Sequence, residues 1–484
     1  MNITHSPLVA TNWINGKWEI GNGERSLRYN PANVNEPVGE IAFSSQKEVA
    51  LAEKAAHQAL PHWRKLTGNQ RANYLYAMAT ALENNTDEIA ELATREMGKP
   101  IGEMKGEVAR GIQLLKYYAA EGVRADGDVI PSSANGVLQY TKRIALGVVG
   151  LITPWNFPVA IPIWKLAPAL ICGNTIIWKP AENGSLTAYK LCRIFEEADL
   201  PEGVINLVIG KGKEVGTYLT EEAEINGLSF TGSTYTGTRL AGVCAQRNIK
   251  YQTEMGGKNA AIVLNDADLN TAVPAIVSGT FRSAGQKCTA SSRIIVEEGI
   301  YDSFIEAIKS EMEKVKLTNP LDKDAYLGPV ASKEQHRKVN LYVELAKKES
   351  NIIHENKDEL SEDGYYVNPL VIEGISKSHP LFQDEIFGPI AAVLKVKDYQ
   401  EAIDTFNDTK YGLSGSVFTT NLAKAHQFLE DAEAGMVRVN LETAGVEYQA
   451  PFGGLKQSSS HTREQGQEAL KFYSNIKTCA IKYE

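Results

Sequence analysis

Cysteine is scarce in this chain, with five residues among 484. Disulfide-held secreted domains use cysteine far more densely, so we expect no disulfide framework and a reducing, cytoplasmic environment. Basic residues are also in the minority, because 50 lysines and arginines stand against 59 aspartates and glutamates, giving a formal net charge of −9. Binding to a phosphate backbone needs a basic surface, so the composition argues against a nucleic-acid partner.

Long apolar stretches without proline are also rare. Residues 144–164 carry no charge and are long enough to span a bilayer, but they contain Pro154, Pro158 and Pro162, which disrupt a helix interior. We interpret the stretch as a buried strand, a turn and the start of a helix, and expect no membrane partner. The first ten residues lack a basic segment followed by an apolar one, so we expect no secretory signal.

What the sequence does contain is a repeated alternation of strands and helices. Helical periodicity predicts a mostly helical first hundred residues, with helices at 48–60, 71–84 and 101–119. Strands are then predicted at 137–142, 146–152, 175–178, 204–208 and 225–230, and again, after residue 256, at 260–264, 293–296, 390–396, 415–418 and 436–439. Helical stretches lie between most of them, which is typical of parallel sheets covered by helices. We therefore predict two α/β domains, and a terminal strand at 474–483 that pairs with a sheet, for example in a neighbouring subunit.

Two glycine-rich turns follow predicted strands. Gly232 and Gly237 flank one of them, in which Ser233 can cap the next helix. A helix N-terminus offers free N–H groups to a phosphate. Gly212 and Gly216 belong to the other turn. Neither spacing is Gly-x-Gly-x-x-Gly, so each turn taken alone is either structural or a phosphate site.

A charged pair follows another strand. Lys179 and Glu182 lie in Trp-Lys-Pro-Ala-Glu, where an open α/β sheet binds ligands and where they can bond ribose hydroxyls. The alternative is a solvated pair at a turn. A carboxylate accepts a hydrogen bond from a free ribose 2′-hydroxyl and repels a 2′-phosphate, so Glu182 favours NAD, with NADP as a second possibility.

Three residues have the chemistry of a covalent site. Cys288 lies in a polar, glycine-containing segment where Lys287 can favour the thiolate, whereas the other four cysteines are expected to be small buried hydrophobes. Glu254, followed by two glycines, is either a general base or a solvated residue at a domain boundary. Asn156, between bulky apolar residues at a strand end, can donate to an oxyanion together with the Cys288 N–H. Glu385, with Phe387 two residues on, can hold a nicotinamide ribose beside the ring.

Seven short motifs occur in order along the chain. They are Pro-Trp-Asn-Phe-Pro (154–158), Lys-Pro-Ala-Glu (179–182), Phe-Thr-Gly-Ser (230–233), Glu-Met-Gly-Gly-Lys (254–258), Gly-Gln-Lys-Cys (285–288), Glu-Ile-Phe-Gly-Pro (385–389) and Pro-Phe-Gly-Gly-Leu-Lys (451–456). Together they resemble the NAD(P)-dependent aldehyde dehydrogenase superfamily from about residue 12 to the end of the chain. The 232–237 turn fits that superfamily's own Gly-x4-Gly form.

The resemblance implies an aldehyde-dehydrogenase-like α/β fold with two Rossmann-like domains and a β oligomerisation arm, assembled as a dimer or tetramer. The implied parts are a cofactor domain (1–122 and 146–256), a catalytic domain (257–456) and an arm (123–145 and 457–484). Cys288 matches the nucleophile, Glu254 the general base and Asn156 the oxyanion donor, and no metal is implied. The cofactor positions implied are Trp155, Asn156, Lys179, Pro180, Ala181, Glu182, Gly212, Gly216, Gly232, Ser233, Met255, Glu385 and Phe387.

The resemblance implies oxidation of an aldehyde to an acid through a thiohemiacetal and a thioester on Cys288, hydrolysed by water that Glu254 activates. Residues 452–460 and 463–466 look like the 2,5-dioxopentanoate (α-ketoglutaric semialdehyde) dehydrogenases. Arg282 matches a position that binds the substrate carboxylate in succinic semialdehyde dehydrogenases, although it can also form a helix-end salt bridge. Trp164 replaces a second arginine of those enzymes and suits an apolar pocket.

The alternatives are therefore a general or apolar-aldehyde dehydrogenase and, from other classes, a non-catalytic binding protein or a cofactor-free cysteine hydrolase. A binding protein would lack the nucleophile or the base. A hydrolase would need a histidine beside the thiol, and the sequence pairs none with Cys288.

Overall fold

The structure, a computed structural model, describes residues 8–124, 126–358 and 361–483. Its helices are α1 (Gln46–Trp63), α2 (Gly68–Asn84), α3 (Thr86–Met97), α4 (Ile101–Glu121), α5 (Ala160–Ile171), α6 (Ser185–Glu196), α7 (Thr217–Glu221), α8 (Thr234–Gln246), α9 (Leu269–Phe281), α10 (Tyr301–Met312), α11 (Lys333–Glu349), α12 (Pro380–Gln383), α13 (Tyr399–Asn407), α14 (Leu422–Asp431) and α15 (Glu468–Phe472).

The strands are β1 (Leu8–Ala10), β2 (Asn12–Ile14), β3 (Lys17–Glu19), β4 (Arg25–Asn30), β5 (Asn33–Ala42), β6 (Val129–Ile130), β7 (Val137–Ala145), β8 (Val148–Thr153), β9 (Thr175–Pro180), β10 (Ile205–Leu207), β11 (Gly227–Thr231), β12 (Lys250–Glu254), β13 (Asn259–Val263), β14 (Ser291–Glu297), β15 (Asn351–Glu355), β16 (Leu370–Glu373), β17 (Ile390–Val396), β18 (Tyr411–Gly412), β19 (Ser414–Phe418), β20 (Met436–Val439), β21 (Leu455–Lys456) and β22 (Ser474–Lys482).

The first large sheet has the order β12-β11-β8-β9-β10-β2-β3. Strands β8 to β12 are parallel, and the antiparallel pair β2 and β3 extends one edge. The strand order reverses between β8 and β11, so the loops that leave these two strands diverge and open a crevice at their carboxyl ends. Ligands of open α/β sheets bind in crevices of this kind.

The second large sheet has the order β15-β16-β17-β14-β13-β19-β20 and is parallel except for β15. Its strand β13 begins five residues after β12 ends. The starts of β13 and β14 therefore lie beside the carboxyl ends of the first sheet. The first sheet lies between two apolar clusters and the second packs into a third, and the parallel strands are almost fully buried because both faces are covered.

A third sheet joins distant parts of the chain. β22 pairs antiparallel with β7 along its whole length, from Ser474 opposite Ala145 to Lys482 opposite Val137, and β6 pairs with the other edge of β7. Smaller sheets are formed by β1, β5 and β4 and by β18 with β21. The arm-like sheet of β6, β7 and β22 corresponds to segments that the sequence assigned to an oligomerisation arm, although the domain limits themselves stay a prediction.

Helix ends follow local sequence signals. α1 begins at a capping box in which Ser45 and Glu48 bond each other's backbone, and α2 begins at the same arrangement of Thr67 and Gln70. α5 follows the proline-rich turn and is buried along its whole length. The uncharged stretch at 144–164 is thus a strand, a turn and a helix start, as predicted. Among the described residues, no helix combines the length and apolar character needed to cross a membrane.

The predicted α/β class with two parallel-sheet domains is confirmed. The prediction of a mostly helical first hundred residues is wrong for its first part, because β1 to β5 occupy residues 8–42. These strands are short or edge-exposed and mix polar and apolar residues, so periodicity did not reveal them. The amphipathic helix α3 was also missed.

Candidate active site

A cavity of about 190 Å³ lies at the reversal point of the first sheet, between the ends of β8 and β11 and the start of the second sheet. The residues of its wall that the sequence had singled out are Trp155, Asn156, Gly232, Ser233, Met255, Cys288, Glu385 and Phe387. The volume is below the roughly 300–1,000 Å³ of a complete ligand pocket. The cavity therefore suits one end of a large ligand together with a small reactant.

Cys288 is half-buried, and its backbone is held firmly. The Asn259 side chain donates to the carbonyls of Cys288 at 2.7 Å and Ala290 at 2.9 Å, and it accepts the Ser414 N–H at 3.0 Å. Burial, and then the Glu385 and Glu254 carboxylates, raise the pKa of the Cys288 thiol to about 12. The resting sulfur is therefore a protonated thiol at neutral pH.

The predicted effect of Lys287 on this thiol is wrong. The Lys287 ammonium lies 3.4 Å from the Glu103 carboxylate, and it is not among the groups that determine the pKa of Cys288. This pairing could not be predicted, because the partner carboxylate lies in α4, far away along the chain.

Asn156 follows β8 and is 5% exposed. Its Nδ2 donates to the Gln286 carbonyl at 3.0 Å, so one of its two N–H groups is used to bind the nucleophile loop. Asn156 and Cys288 share the cavity wall. The second N–H is thus available for an oxygen atom bound beside the sulfur, as an oxyanion donor requires.

Glu254 is the last residue of β12 and is buried rather than solvated. Its Oε2 accepts the Ser459 hydroxyl at 2.6 Å, whereas its Oε1 is buried with no partner among the described residues. Burial, and then repulsion from Glu464, raise the pKa of Glu254 well above its usual range. Glu464 itself pairs with the buried ammonium of Lys165. A buried carboxylate with a raised pKa and an unpartnered oxygen has the properties of a general base.

Glu385 and Phe387 line the opposite wall. Glu385 Oε1 accepts the Gly257 N–H at 3.0 Å, and burial raises the pKa of this carboxyl. Phe387 adopts a φ of 61°, a strained value for a bulky residue. Its carbonyl accepts the Gln335 side chain at 2.6 Å, and its ring meets the Trp155 ring edge-on with 5.6 Å between centroids. The strained backbone of Phe387 thus places its aromatic ring at the cavity wall.

The Lys179 and Glu182 positions lie outside this cavity, after the adjacent strand β9. Lys179 is buried and donates to the Pro180 carbonyl at 2.9 Å, and burial lowers the pKa of its ammonium to about 8. The Ala181 N–H bonds the Thr153 carbonyl at 2.8 Å, which ties this turn to the end of β8. Glu182 is half-buried and opens a short 3₁₀ turn.

The two glycine-rich turns differ in position. Ser233 caps α8 by accepting the Thr236 N–H at 3.3 Å, as predicted, and Gly232 lies with it at the cavity. Gly216 ends a π-helical turn that begins at Gly212; a Cβ on Gly216 would touch the Lys179 side chain at 3.7 Å. Gly212 and Gly216 thus belong with the Lys179 turn and not with the cavity.

Neither predicted substrate residue lines the cavity. Trp164 is buried and packs on Phe452 with 5.4 Å between ring centroids, and its Nε1 has no partner among the described residues. The Arg282 guanidinium lies over the Tyr326 ring at 4.8 Å from its centroid. Arg282 makes no ion pair within the described ranges, so the predicted alternative of a helix-end salt bridge is not observed there.

The other cysteines only partly match expectation. Cys192 and Cys244 are buried, and burial raises the pKa of each thiol, as expected for small hydrophobes. Cys172 and Cys479 are half-buried instead. Cys479 was expected to be buried, but it lies on β22, whose side chains are mostly exposed.

The arrangement fits a nicotinamide dinucleotide. Its crevice is the reversal point of a parallel sheet, and the capped N-terminus of α8 opens onto it. A Cβ on Gly256 would clash with the Glu385 carboxylate, so the chain leaves space there that only glycine allows. Glu385 could hold the nicotinamide ribose, Gly232 and Ser233 the pyrophosphate, and Lys179 and Glu182 the adenosine ribose.

Sequence reasoning missed several residues of the site. Gln335 and Lys338 in α11 line the cavity, and Asn259 and Ser459 hold the candidate nucleophile and base. Asn259 directly follows the Glu-Met-Gly-Gly-Lys motif, and a buried amide at a strand start is a signal that could have revealed it. Nothing in the sequence connects Ser459 with Glu254, since only the folded chain brings them together.

Comparison with known proteins agrees with this geometry. The model of the aldehyde dehydrogenase family matches residues 18–479. An α-ketoglutaric semialdehyde dehydrogenase of Bacillus subtilis is 48% identical over 100% of both chains. A 2,5-dioxopentanoate dehydrogenase of Saccharolobus solfataricus is 37% identical over 96% of this chain and 97% of its own. The crystal structure of betaine aldehyde dehydrogenase from Staphylococcus aureus in complex with NAD+ superposes with a TM-score of 0.94 and is 33% identical, covering 98% of this chain and 94% of the other.

The bond from Ser459 to Glu254 generates a pH prediction. The hydroxyl stabilises the charged carboxylate, so Ser459→Ala should raise the pKa of Glu254 further. A base works only when deprotonated, so activity is lost as the pH falls through its pKa. The acid limb of the kcat–pH profile should therefore move to higher pH, by roughly 1 unit.

The matched control is Ser460→Ala, because the Ser460 hydroxyl accepts the Thr253 N–H at 2.9 Å and does not bond Glu254. The control should leave the acid limb in place. An acid limb that stays fixed or moves to lower pH in Ser459→Ala would show that this hydroxyl does not tune the base.

Proposed function

The chain belongs to the aldehyde dehydrogenase family, and we propose that it oxidises 2,5-dioxopentanoate or a closely similar carboxylated semialdehyde to the acid, with NAD as electron acceptor. The observation that carries the proposal is the meeting of a cysteine, an amide donor and an aromatic wall at the reversal point of a parallel sheet. Two relatives that match nearly the whole chain are named for this semialdehyde.

The proposed chemistry begins at Cys288. The Cys288 thiol first gives its proton to water, and the sulfur then forms a bond to the aldehyde carbon while the carbonyl oxygen becomes an oxyanion. The free N–H of Asn156 Nδ2 and the Cys288 backbone N–H stabilise that oxyanion. NAD, when bound, supplies the acceptor for the hydride that leaves the carbon, and a thioester on Cys288 remains.

Release of the acid is assigned to Glu254. Its Oε1, which has no partner among the described residues, takes a proton from water while the water oxygen attacks the thioester carbon. The carbon–sulfur bond breaks and the thiolate returns. The Ser459 hydroxyl stays on Oε2 and keeps the carboxylate oriented. The overall change is aldehyde, NAD and water to acid, reduced NAD and a proton.

The cofactor preference is assigned to Glu182. In the proposed arrangement the adenosine ribose lies between Lys179 and Glu182, beyond the end of β9. A carboxylate there accepts a hydrogen bond from a free 2′-hydroxyl and repels a 2′-phosphate, so NAD is the expected cofactor and NADP the weaker alternative.

The substrate carboxylate is assigned to Arg282. This residue begins the segment that leads to Cys288, and its guanidinium rests on the Tyr326 ring. A guanidinium stacked on a ring keeps its N–H edge free for a carboxylate. Trp164 packs on Phe452 and has a buried indole N–H without a partner in the described parts of the chain, so it offers no charge to a second carboxylate contact.

We further propose that copies of the chain associate through the sheet of β6, β7 and β22. This sheet exposes the apolar side chains of Val129, Leu138 and Ile481 on one face, where Leu138 lies opposite Ile481, and that of Ile476 on the other face. Exposed apolar residues that share a face of a sheet are typical of an interface. Light scattering of the purified protein should give the mass of a dimer or tetramer, and the mass of a single 53.0 kDa chain would contradict this proposal.

Turnover with a panel of aldehydes tests the function directly. The panel contains 2,5-dioxopentanoate, succinic and glutaric semialdehydes and propanal, each with NAD and with NADP, and reduced cofactor is followed by absorbance. We expect the highest kcat/KM for 2,5-dioxopentanoate with NAD. A higher value for propanal would favour a general aldehyde dehydrogenase, and higher values with NADP would contradict the role of Glu182.

In the same assay, Cys288→Ala should lower kcat by at least about 1,000-fold, because no nucleophile remains. Cys192→Ala, which removes a buried thiol from α6, is the matched control and should remain active. Turnover retained by Cys288→Ala would exclude the covalent mechanism, as would the absence of an acyl adduct on Cys288 by mass spectrometry.

Arg282→Ala separates the carboxylated substrate from its alternatives. We expect KM to rise at least about 10-fold for semialdehydes and to change little for propanal, because only the former lose a charge-assisted contact. Arg282→Lys keeps the charge without the planar fork and should give an intermediate KM. Equal effects on both substrate classes would mean that Arg282 only supports the loop.

A further inference from the structure

Helix α4 carries two carboxylates one turn apart, Glu103 and Glu107. They bond to two different segments of the candidate site. We propose that Glu103 and Glu107 are positioning residues that together set the placement of Cys288 relative to Asn156. This inference rests on the proposed roles of the two site residues, and it assigns a function to a helix that no site motif includes.

Glu107 holds the loop of the oxyanion donor. Its Oε1 accepts the N–H groups of Val159 and Ala160 at 2.8 and 3.0 Å, directly after the Asn156 turn. Its Oε2 pairs with the Lys99 ammonium at 2.6 Å, and both side chains are 1% exposed. The same ammonium lies 3.7 Å from the centroid of the Phe157 ring, so the pair contacts the loop on both sides of Pro158.

Glu103 holds the loop of the nucleophile. Its carboxylate accepts the Ser283 N–H at 3.1 Å and the Ser283 hydroxyl at 2.7 Å, and the Lys287 ammonium lies 3.4 Å from it. Ser283 and Ala284 have φ values of 56° and 55°, a left-handed backbone that is costly for residues with a Cβ. Glu103 thus fixes both ends of a strained segment that stops one residue before Cys288.

The two loops meet where the carboxylates act. Asn156 Nδ2 donates to the Gln286 carbonyl, inside the segment that Glu103 fixes, and the Gln286 side chain donates to the Ser283 carbonyl at 3.1 Å. Because a helix is stiff over one turn, the spacing of Glu103 and Glu107 is transmitted to the spacing of the loops. If Glu103 and Glu107 had only a structural role, they would not need to bond the Asn156 loop and the Cys288 loop.

Charge supports the same arrangement. Burial alone would raise the pKa of Glu103, but Lys287, the Ser283 bonds and Lys99 outweigh it and lower that pKa. Glu103 is therefore an anion at neutral pH. Carboxylate and ammonium groups alternate in the order Glu107, Lys99, Glu103 and Lys287, because Lys99 interacts with both carboxylates. Removing one carboxylate therefore also leaves a cation without its partner.

The first experiment compares single variants of the full-length enzyme. Glu103→Ala and Glu107→Ala should each lower kcat by about 10–100-fold, the range expected for small misplacement of reacting groups, while KM for the aldehyde changes less than about threefold. Glu103→Gln should recover most of the loss, because an amide oxygen still accepts the Ser283 N–H. Should Glu107→Ala fail to fold, Glu107→Gln and the Glu103 pair decide the question.

The second readout does not depend on turnover. Loosening the nucleophile loop should expose the half-buried thiol, so iodoacetamide should alkylate Cys288 at least about threefold faster in cofactor-free Glu103→Ala than in the parent, with Cys288→Ala as the background. The matched control is Glu297→Gln. Glu297 is also a carboxylate that accepts a backbone N–H, from Asn265 at 2.6 Å, and it is buried, but it lies at the far end of β14, so kcat and alkylation should stay unchanged.

A double-mutant cycle distinguishes positioning from stability. If Glu107 acts through Asn156, Glu107→Ala should cost less than about twofold in kcat once Asn156→Ala is present. An undiminished loss in that background would overturn the inference, as would normal kcat and alkylation in both alanine variants. Activity in Cys288→Ala would instead overturn the proposed function itself.

Discussion

The hydrogen bond from Asn156 to the Gln286 carbonyl is the contact on which the site depends. It joins residues that are 130 positions apart in the chain and that lie in loops of different sheets. One end belongs to the turn after β8, and the other belongs to the loop before β14. Because the cavity lies between these two loops, a shift of either sheet would separate the Asn156 amide from the Cys288 sulfur.

Burial dominates the electrostatics of this region. It raises the pKa of Cys288, Glu254 and Glu385; Glu464 adds to the effect on Glu254, and the Glu385 and Glu254 carboxylates add to the effect on Cys288. Hydrogen bonds act in the opposite direction at the two carboxylates. The Ser459 hydroxyl stabilises the charged form of Glu254, and the Gly257 N–H stabilises that of Glu385. The protonation state of each carboxyl is therefore a balance between burial and one or two specific bonds.

Much of the site could be predicted from the sequence, because its motifs lie at strand ends and parallel strands gather their ends at one edge. Asn156 and Gly232 come together for this reason, whereas Cys288 reaches them from the loop before β14 of the second sheet. Effects that depend on distant partners could not be predicted. Lys287 was expected to activate the thiol, but it pairs with Glu103 on α4. The strands before residue 43 were missed because short, mixed segments carry little periodicity.

Because the site is divided between two sheets, recombination with a related chain is restricted. A recombined protein that took the first sheet from this chain and the second from a relative would inherit its oxyanion donor and its sulfur from different parents. Both loops are bonded to α4, so that helix would have to match each parent at once. Exchange of whole halves is therefore disfavoured, whereas substitutions at Trp164 and Arg282, which do not line the cavity, leave the bonds between the loops and α4 intact.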